Sequence, residues 1–220
     1  MSPYEYILFD LDDTLYTASS GLWNAIACRM YTYMLDVLDI PADAIHPLRK
    51  AYLEQYGTTL AGLMEHYPAV DARDYLDYVH DVDLERYIPP DPRLDRMLAS
   101  LPQHKVVFTN ASRLHAERVL HRLGVERHFE DIIGMEALNF VNKPHPDAYI
   151  RALERLTIPD PGVCVMIEDR AVNLQPAAEL NMLTVLLDDG ETYPWVHHFV
   201  ESIYDLARVL LGKADCTQGA

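Results

Sequence analysis

Two aspartates, Asp10 and Asp12, stand one residue apart just beyond a short apolar run, Tyr6-Ile-Leu-Phe9. Asp13 follows them, so three carboxylates fall within four positions. Acids clustered at the end of a buried segment are costly unless a cation or a reaction uses their charge. In open α/β sheets, ligands and catalytic groups collect at the carboxyl ends of strands. The stretch therefore reads as a paired-carboxylate site, Asp10 with Asp12, expected to hold a metal.

Other apolar runs end in residues of complementary chemistry. Val106-Val-Phe-Thr109 closes on Thr109 and Asn110, small hydrogen-bonding side chains, and Val163–Ile167 closes on Glu168 and Asp169. Between them lies Asn142-Lys-Pro-His-Pro146, which holds one of only four lysines in the chain, Lys143. Together these parts suit phosphoryl transfer. Asp10 would attack phosphorus to give an aspartyl-phosphate. Asp12 would protonate the leaving oxygen and then activate water. Thr109 would donate to a phosphoryl oxygen, and Lys143 would offset the charge on phosphate and nucleophile. Mg²⁺, which favours hard oxygens and binds protein and phosphate jointly, is the expected cofactor.

The elements needed to position these residues are readable in the periodicity. After Tyr16, Leu22, Trp23, Ile26, Met30, Tyr31, Met34 and Leu38 recur at helical spacing, with Ser19 or Ser20 available as a cap. Further helices are expected over 43–56, ended by Gly57, and over 59–67 and 71–82, with Pro47 as an alternative start for the first of them. No strand pattern appears between Thr17 and Ile88. From Pro92 onward helical and strand-like stretches alternate, which means a parallel sheet with helices on both faces. The expected fold is α/β: a Rossmann-like core from residues 1–16 and 89–212, an all-helical insert over 17–88, and a loose tail over 213–220.

Composition narrows the functions further. The chain has 220 residues and a formal charge of -16, with a pI near 4.8. Such an acidic protein is a poor nucleic-acid binder, and to handle anions it must concentrate positive charge locally. Cys28, Cys164 and Cys216 show no paired spacing, which fits free thiols in a reducing compartment. No apolar run reaches membrane-spanning length. A cytoplasmic enzyme acting on a small phosphate ester, without membrane or nucleic-acid partners, is the expectation, as a monomer or homodimer.

Phe9-Asp-Leu-Asp-Asp-Thr14, Thr109, Lys143 and Glu168-Asp169 resemble, in order, the four motifs of the haloacid dehalogenase-like (HAD) superfamily. That resemblance implies Asp10 as nucleophile and Asp12 as acid/base. It implies Mg²⁺ held by the Asp10 carboxylate, the Asp12 backbone carbonyl and Asp169, with Glu168 as a direct or water-mediated helper. It also makes the insert a helical cap. Within the superfamily, Tyr52–Leu63, Phe108-Thr-Asn110 and Lys143–Tyr149 are similar to the pyrimidine 5′-nucleotidase group, which would place Tyr56, Thr58, Thr59 and Asn110 near the substrate. Where that group has two aspartates and a Ser, this chain reads Glu168-Asp-Arg170; glutamate keeps the charge on a longer arm.

Plainer readings stand beside these. Asp13 is read as solvated or loop-bonded, and Thr14 as bonding its own loop. Asn110 divides between oxygen contact and capping. His115 and His121, like His197 and His198, are read as surface residues, and Trp23, Tyr31 and Met34 as the insert's own core. A dehalogenase would use Asp10 without a metal and would not need Asp12. A phosphonatase would need an insert lysine, and Lys50 alone qualifies. A sugar-phosphate phosphatase or hexose-phosphate mutase shares the acidic pair, and a phospho-receiver domain would lack the insert.

Overall fold

A computed structural model of the protein describes residues 3–187 and 190–212. The run Tyr6–Phe9 forms β1, an interior strand of a sheet that is parallel throughout. Its partners are β2 (His104–Phe108), β3 (Asp131–Ile133), β4 (Cys164–Glu168), β5 (Leu183–Leu187) and β6 (His198–Val200). Among the described residues the order is β3-β2-β1-β4-β5-β6. The chain builds outward from β1 through β2 to β3, then returns to the other side of β1 and builds outward again through β6. The order therefore reverses between β1 and β4, and the carboxyl ends at such a switch point frame a crevice. Register brings the chemistry there: Phe9 lies opposite both Val107 and Ile167, so Asp10 leaves the sheet beside Glu168.

Between β1 and β2 run α1 (Leu22–Asp36), α2 (Ala42–Tyr56), α3 (Thr59–His66) and α4 (Ala72–His80). No strand interrupts them, as the periodicity predicts. α2 begins at Ala42 and runs through Pro47 rather than starting there. α1 packs on α4 and α2 on α3. Gly57, at φ 82°, ends α2, and Thr58 caps α3 by accepting from the Ala61 N–H at 3.1 Å. Burial of Ile26, Met34, Ile45, Leu63 and Tyr75 drives this packing, each contributing roughly 1.5–3 kcal/mol. These side chains are continuous with the core under one sheet face, which includes Phe9 and Val107.

The remaining helices are α5 (Pro92–Ser100), α6 (Arg113–Leu123), α7 (Pro146–Leu156), α8 (Ala171–Glu179) and α9 (Leu206–Leu211). α5, α6 and α9 cover the face that carries Phe9, and α7 and α8 cover the other, against Leu8, Phe108 and Met166. The doubly covered parallel sheet explains the unbroken apolar strands β1 and β4. β6 and α9 were not expected from the sequence: three and six residues are too short to show a period. The expected tail over 213–220, with Cys216, lies outside the described residues; Cys28 and Cys164 are free thiols. Among the described residues no helix is long and apolar enough to cross a membrane.

Candidate active site

A cavity of about 230 Å³ opens where the strand ends meet the helical insert. The strand side supplies Asp10, Asp12, Asp13, Thr109, Asn110, Glu168, Asp169 and Asn173 to its lining. The insert supplies an apolar wall in which Trp23, Leu60, Leu76 and Val79 recur, together with Thr58, Tyr75 and His80.

Lys143 is the hub. Its side chain is 0% exposed, and its Nζ donates to Asp10 Oδ1 at 2.8 Å, Glu168 Oε1 at 2.6 Å and the Phe108 carbonyl at 2.7 Å. All three ammonium protons are thereby used within the protein. Asn110 fixes the loop that delivers the lysine: its amide donates to the Lys143 carbonyl at 2.9 Å, and its carbonyl accepts from the Lys143 N–H at 2.8 Å. The peptide from Lys143 to Pro144 is cis. Burial works against the lysine's charge, but the Asp10 and Glu168 carboxylates more than restore it and hold its pKa above the ordinary value.

Each Asp10 oxygen has a donor, because the Thr14 hydroxyl reaches Oδ2 at 3.1 Å. Thr14 bonds within its own loop as expected, its partner being the Asp10 carboxylate four residues earlier. Glu168 is fully engaged on Oε1, which accepts from Lys143 and from the Asn173 amide at 2.8 Å, while Oε2 accepts from the Arg170 N–H at 3.1 Å. Tyr149 donates to the Asn173 carbonyl and holds α8 at this point.

Carboxylates outnumber cations here. Burial raises the Asp10 pKa to about 7 against the pull of Lys143. Burial, then Glu168 and Asp10, raise that of Asp169 to about 9. Oxygens of Asp10, Glu168 and Asp169 lie within 4.8 Å of one another, which suits a hard divalent cation. Asp13 sits in the left-handed region at φ 61°. Expected to be solvated or loop-bonded, it is half-buried: its Oδ1 is buried without a partner, and burial followed by Asp12 lifts its pKa to about 6.

Asp12 faces a different environment. Its Oδ1 accepts from the Tyr16 hydroxyl at 2.6 Å and meets His115 Nε2 at 3.0 Å. Burial raises its pKa, but His115 and the hydrogen bonds from both partners outweigh that and hold it below the ordinary value. His115 was expected at the surface; its side chain is 0% exposed. Ser112 caps α6, whose first residue, Arg113, stands four positions after Thr109, and this short connection carries the first turn into the crevice. His80 and Tyr16 were likewise unanticipated. Trp23 is not core: it stands 42% exposed at the cavity wall, while Met34 is buried and Tyr31 half-buried.

Of the other expected residues, Thr109 is buried at the cavity, its hydroxyl accepting from the Ala111 N–H at 3.0 Å. Thr58 lines the cavity, whereas Tyr56 and Thr59 do not. The Tyr56 hydroxyl pairs with His66 Nε2 at 3.0 Å, and its carbonyl accepts from Asn142 at 2.9 Å. Gly57 explains that contact. A Cβ there would stand 2.7 Å from both Asn142 Nδ2 and Pro144 Cδ, so the insert rests on the Lys143 loop through a bare backbone.

Residues 4–181 match the family described as haloacid dehalogenase-like hydrolase. The chain belongs to that family. Among curated relatives, phosphate metabolism protein 8 of Saccharomyces cerevisiae is 25% identical over 187 residues, 79% of this chain and 58% of the yeast protein. The chain thus spans little more than half of that relative. Glyceraldehyde 3-phosphate phosphatase of Methanocaldococcus jannaschii is 25% identical over 198 residues, 84% of this chain and 85% of that one. The HAD hydrolase YfnB of Bacillus subtilis, solved bound to magnesium, shares the fold with a TM-score of 0.62 at 15% identity, covering 94% of this chain and 98% of that one.

Proposed function

We propose that the protein is a Mg²⁺-dependent phosphomonoesterase of small phosphorylated metabolites, with nucleoside 5′-monophosphates, pyrimidine ones foremost, as preferred substrates. The observation that carries this reading is the division of labour between two carboxylates on one cavity. Asp10 is held by Lys143 and Thr14 at the strand end, and Asp12 is held apart by Tyr16 and His115. Asp10 attacks phosphorus, and Asp12, which must first take up a proton from solvent against its lowered pKa, gives that proton to the leaving oxygen as the P–O bond breaks. Asp12 then takes a proton from water, whose oxygen attacks the aspartyl-phosphate and frees phosphate and Asp10. Thr109 and Asn110 line the cavity beside the phosphoryl position, and Lys143 acts as a fixed charge, since its protons are already committed.

The Asp10 and Asp169 carboxylates with the Asp12 carbonyl would hold Mg²⁺, and Glu168, with one lone pair left on Oε2, would serve it directly or through water. Bound there, the cation supplies neutralisation of the carboxylates and phosphate. The insert, residues 17–88, is the cap that shuts the cavity from water. A halide leaving group would need no proton, so the anchored Asp12 favours phosphate over haloacid chemistry. Trp23 and the apolar wall offer a face to a base, with Thr58 beside it and Tyr56 and Thr59 supporting the segment.

A phosphate-release panel of nucleotides, sugar phosphates and haloacids, run with Mg²⁺ and with chelator, tests the reading. Release from nucleoside monophosphates that vanishes with chelator and returns with Mg²⁺ is expected, and Asp10→Asn should lose at least ~10³-fold of it while folding normally. Metal-independent halide release, or near wild-type turnover by Asp10→Asn, would overturn it.

A further inference from the structure

We propose that His115 is a positioning residue for Asp12, and that His80 of the helical insert locks it, so that proton transfer is aligned only while the insert lies over the cavity. The inference rests on the phosphatase reading above and extends it to residues on α4 and α6.

Both donors to Asp12 converge on one oxygen. Tyr16 and His115 meet Oδ1, which leaves Oδ2 as the oxygen free to carry the proton toward the cavity. The orientation of Asp12 therefore depends on where the His115 ring stands. That ring has no exposure of its own. Its main-chain N–H is tied to Ser112 Oγ at 3.2 Å, and the His80 ring stacks on it at 4.2 Å between centroids and 17° between planes. His80 Nδ1 lies 3.2 Å from the same Ser112 Oγ. Arg118, also on α6, donates to the His80 carbonyl at 2.9 Å and the Val82 carbonyl at 2.7 Å, which fastens the end of α4 to α6.

The tautomer follows from what is missing. His115 Nδ1 is buried with no partner. A proton there would be a buried donor without an acceptor, worth about 1–3 kcal/mol of penalty, whereas a bare lone pair is better tolerated. The ring proton therefore resides on Nε2 and points at Asp12. It stays there through the cycle: Asp12 loses its Oδ2 proton to the leaving oxygen and regains one from water, and His115 only fixes the direction. If the insert lifts far enough to break the Arg118 contacts to the end of α4, His80 leaves the ring face and the alignment relaxes.

Leaving groups separate this role from a structural one. With the Mg²⁺-loaded enzyme, kcat/KM would be compared for p-nitrophenyl phosphate, whose phenolate departs without a proton, and for a primary alkyl phosphate, whose alkoxide needs one. His115→Leu should lose ~30–100-fold on the alkyl ester, a fraction of the roughly 10²–10⁴-fold typical of general acid catalysis, and less than ~3-fold on the aryl ester. His80→Ala should follow in the same direction at ~5–10-fold, and His80→Phe, which keeps the stack, should restore most of it. Equal losses on both esters, or none, would overturn the proposal. Imidazole ¹⁵N spectra give a second reading independent of turnover: His115 should be a single Nε2–H tautomer whose signal moves in Asp12→Asn. A mixed tautomer, or no response to Asp12→Asn, would also overturn it. A wild-type enzyme inactive on both esters would instead overturn the phosphatase reading, while the spectra still decide the contact.

Discussion

At the scale of single residues, the site is a contest between buried acids and one buried base. Lys143 contacts Asp10 and Glu168 at 2.8 and 2.6 Å without any exposure to water. Removing one member of a buried ion pair leaves the others uncompensated and typically costs about 3–5 kcal/mol. Lys143→Met should lose that much stability in urea unfolding at neutral pH, and its phosphate release should fall to background. A variant as stable as the parent would show that the lysine is not the counter-charge of this cluster. The candidates Asp10, Asp12, Thr109 and Asp169 were legible in the sequence because acid and hydroxyl stood at the ends of apolar runs, and Lys143 because it is one of four lysines, set between two such runs and followed by prolines. His115 and His80 were not, since a histidine's burial depends on which helices cover it, and these two meet only where α4 crosses onto α6. Their spacing, with α5 and β2 between them, leaves no local pattern.

Secondary-structure elements were easier to read than their mutual contacts. The four insert helices follow their apolar stripes, and α7 starts at Pro146, a residue suited to the first helical turn. What periodicity could not show is which surface each stripe meets: Trp23 shares a stripe with Met34, yet one faces the cavity and the other the core. Gly57 marks the junction most sharply. Its φ of 82° costs a side-chain-bearing residue about 1–2 kcal/mol, and a methyl would press on Asn142 and Pro144. Asn142 also donates to the Lys143 carbonyl at 2.7 Å. Gly57→Ala should therefore lower the melting temperature and reduce kcat/KM by roughly tenfold through the Lys143 loop, in line with the cost of small misplacements at a catalytic centre. Calorimetry with steady-state kinetics checks both, and a stability loss with kcat/KM intact would detach the loop from the insert.

For the molecule as a whole, the excess of acids becomes a pH dependence. Asp169 has a folded pKa of about 9 against the ordinary 3.8. Between those values the folded protein binds more protons than the unfolded chain, so stability falls as pH rises. His80, held well below 6.5 by burial and His115, acts with the opposite sign only below that value. From pH 7 to 9 the carboxyls govern. Metal-free protein should lose melting temperature steadily across that window, and saturating Mg²⁺ should flatten the slope, since a ligand at 100 times its Kd adds about 2.7 kcal/mol. A metal-free profile flat from 7 to 9 would remove the electrostatic case for a cation. The sheet order also bears on association. Both outer strands, β3 and β6, are three residues long, and Asp131 on β3 is bracketed by Arg113 and Arg155 at 2.9 and 2.8 Å. Short margins, one of them ion-paired, offer little backbone for a second chain to extend. Among the described residues, two copies of this protein therefore have little strand edge through which to join their sheets.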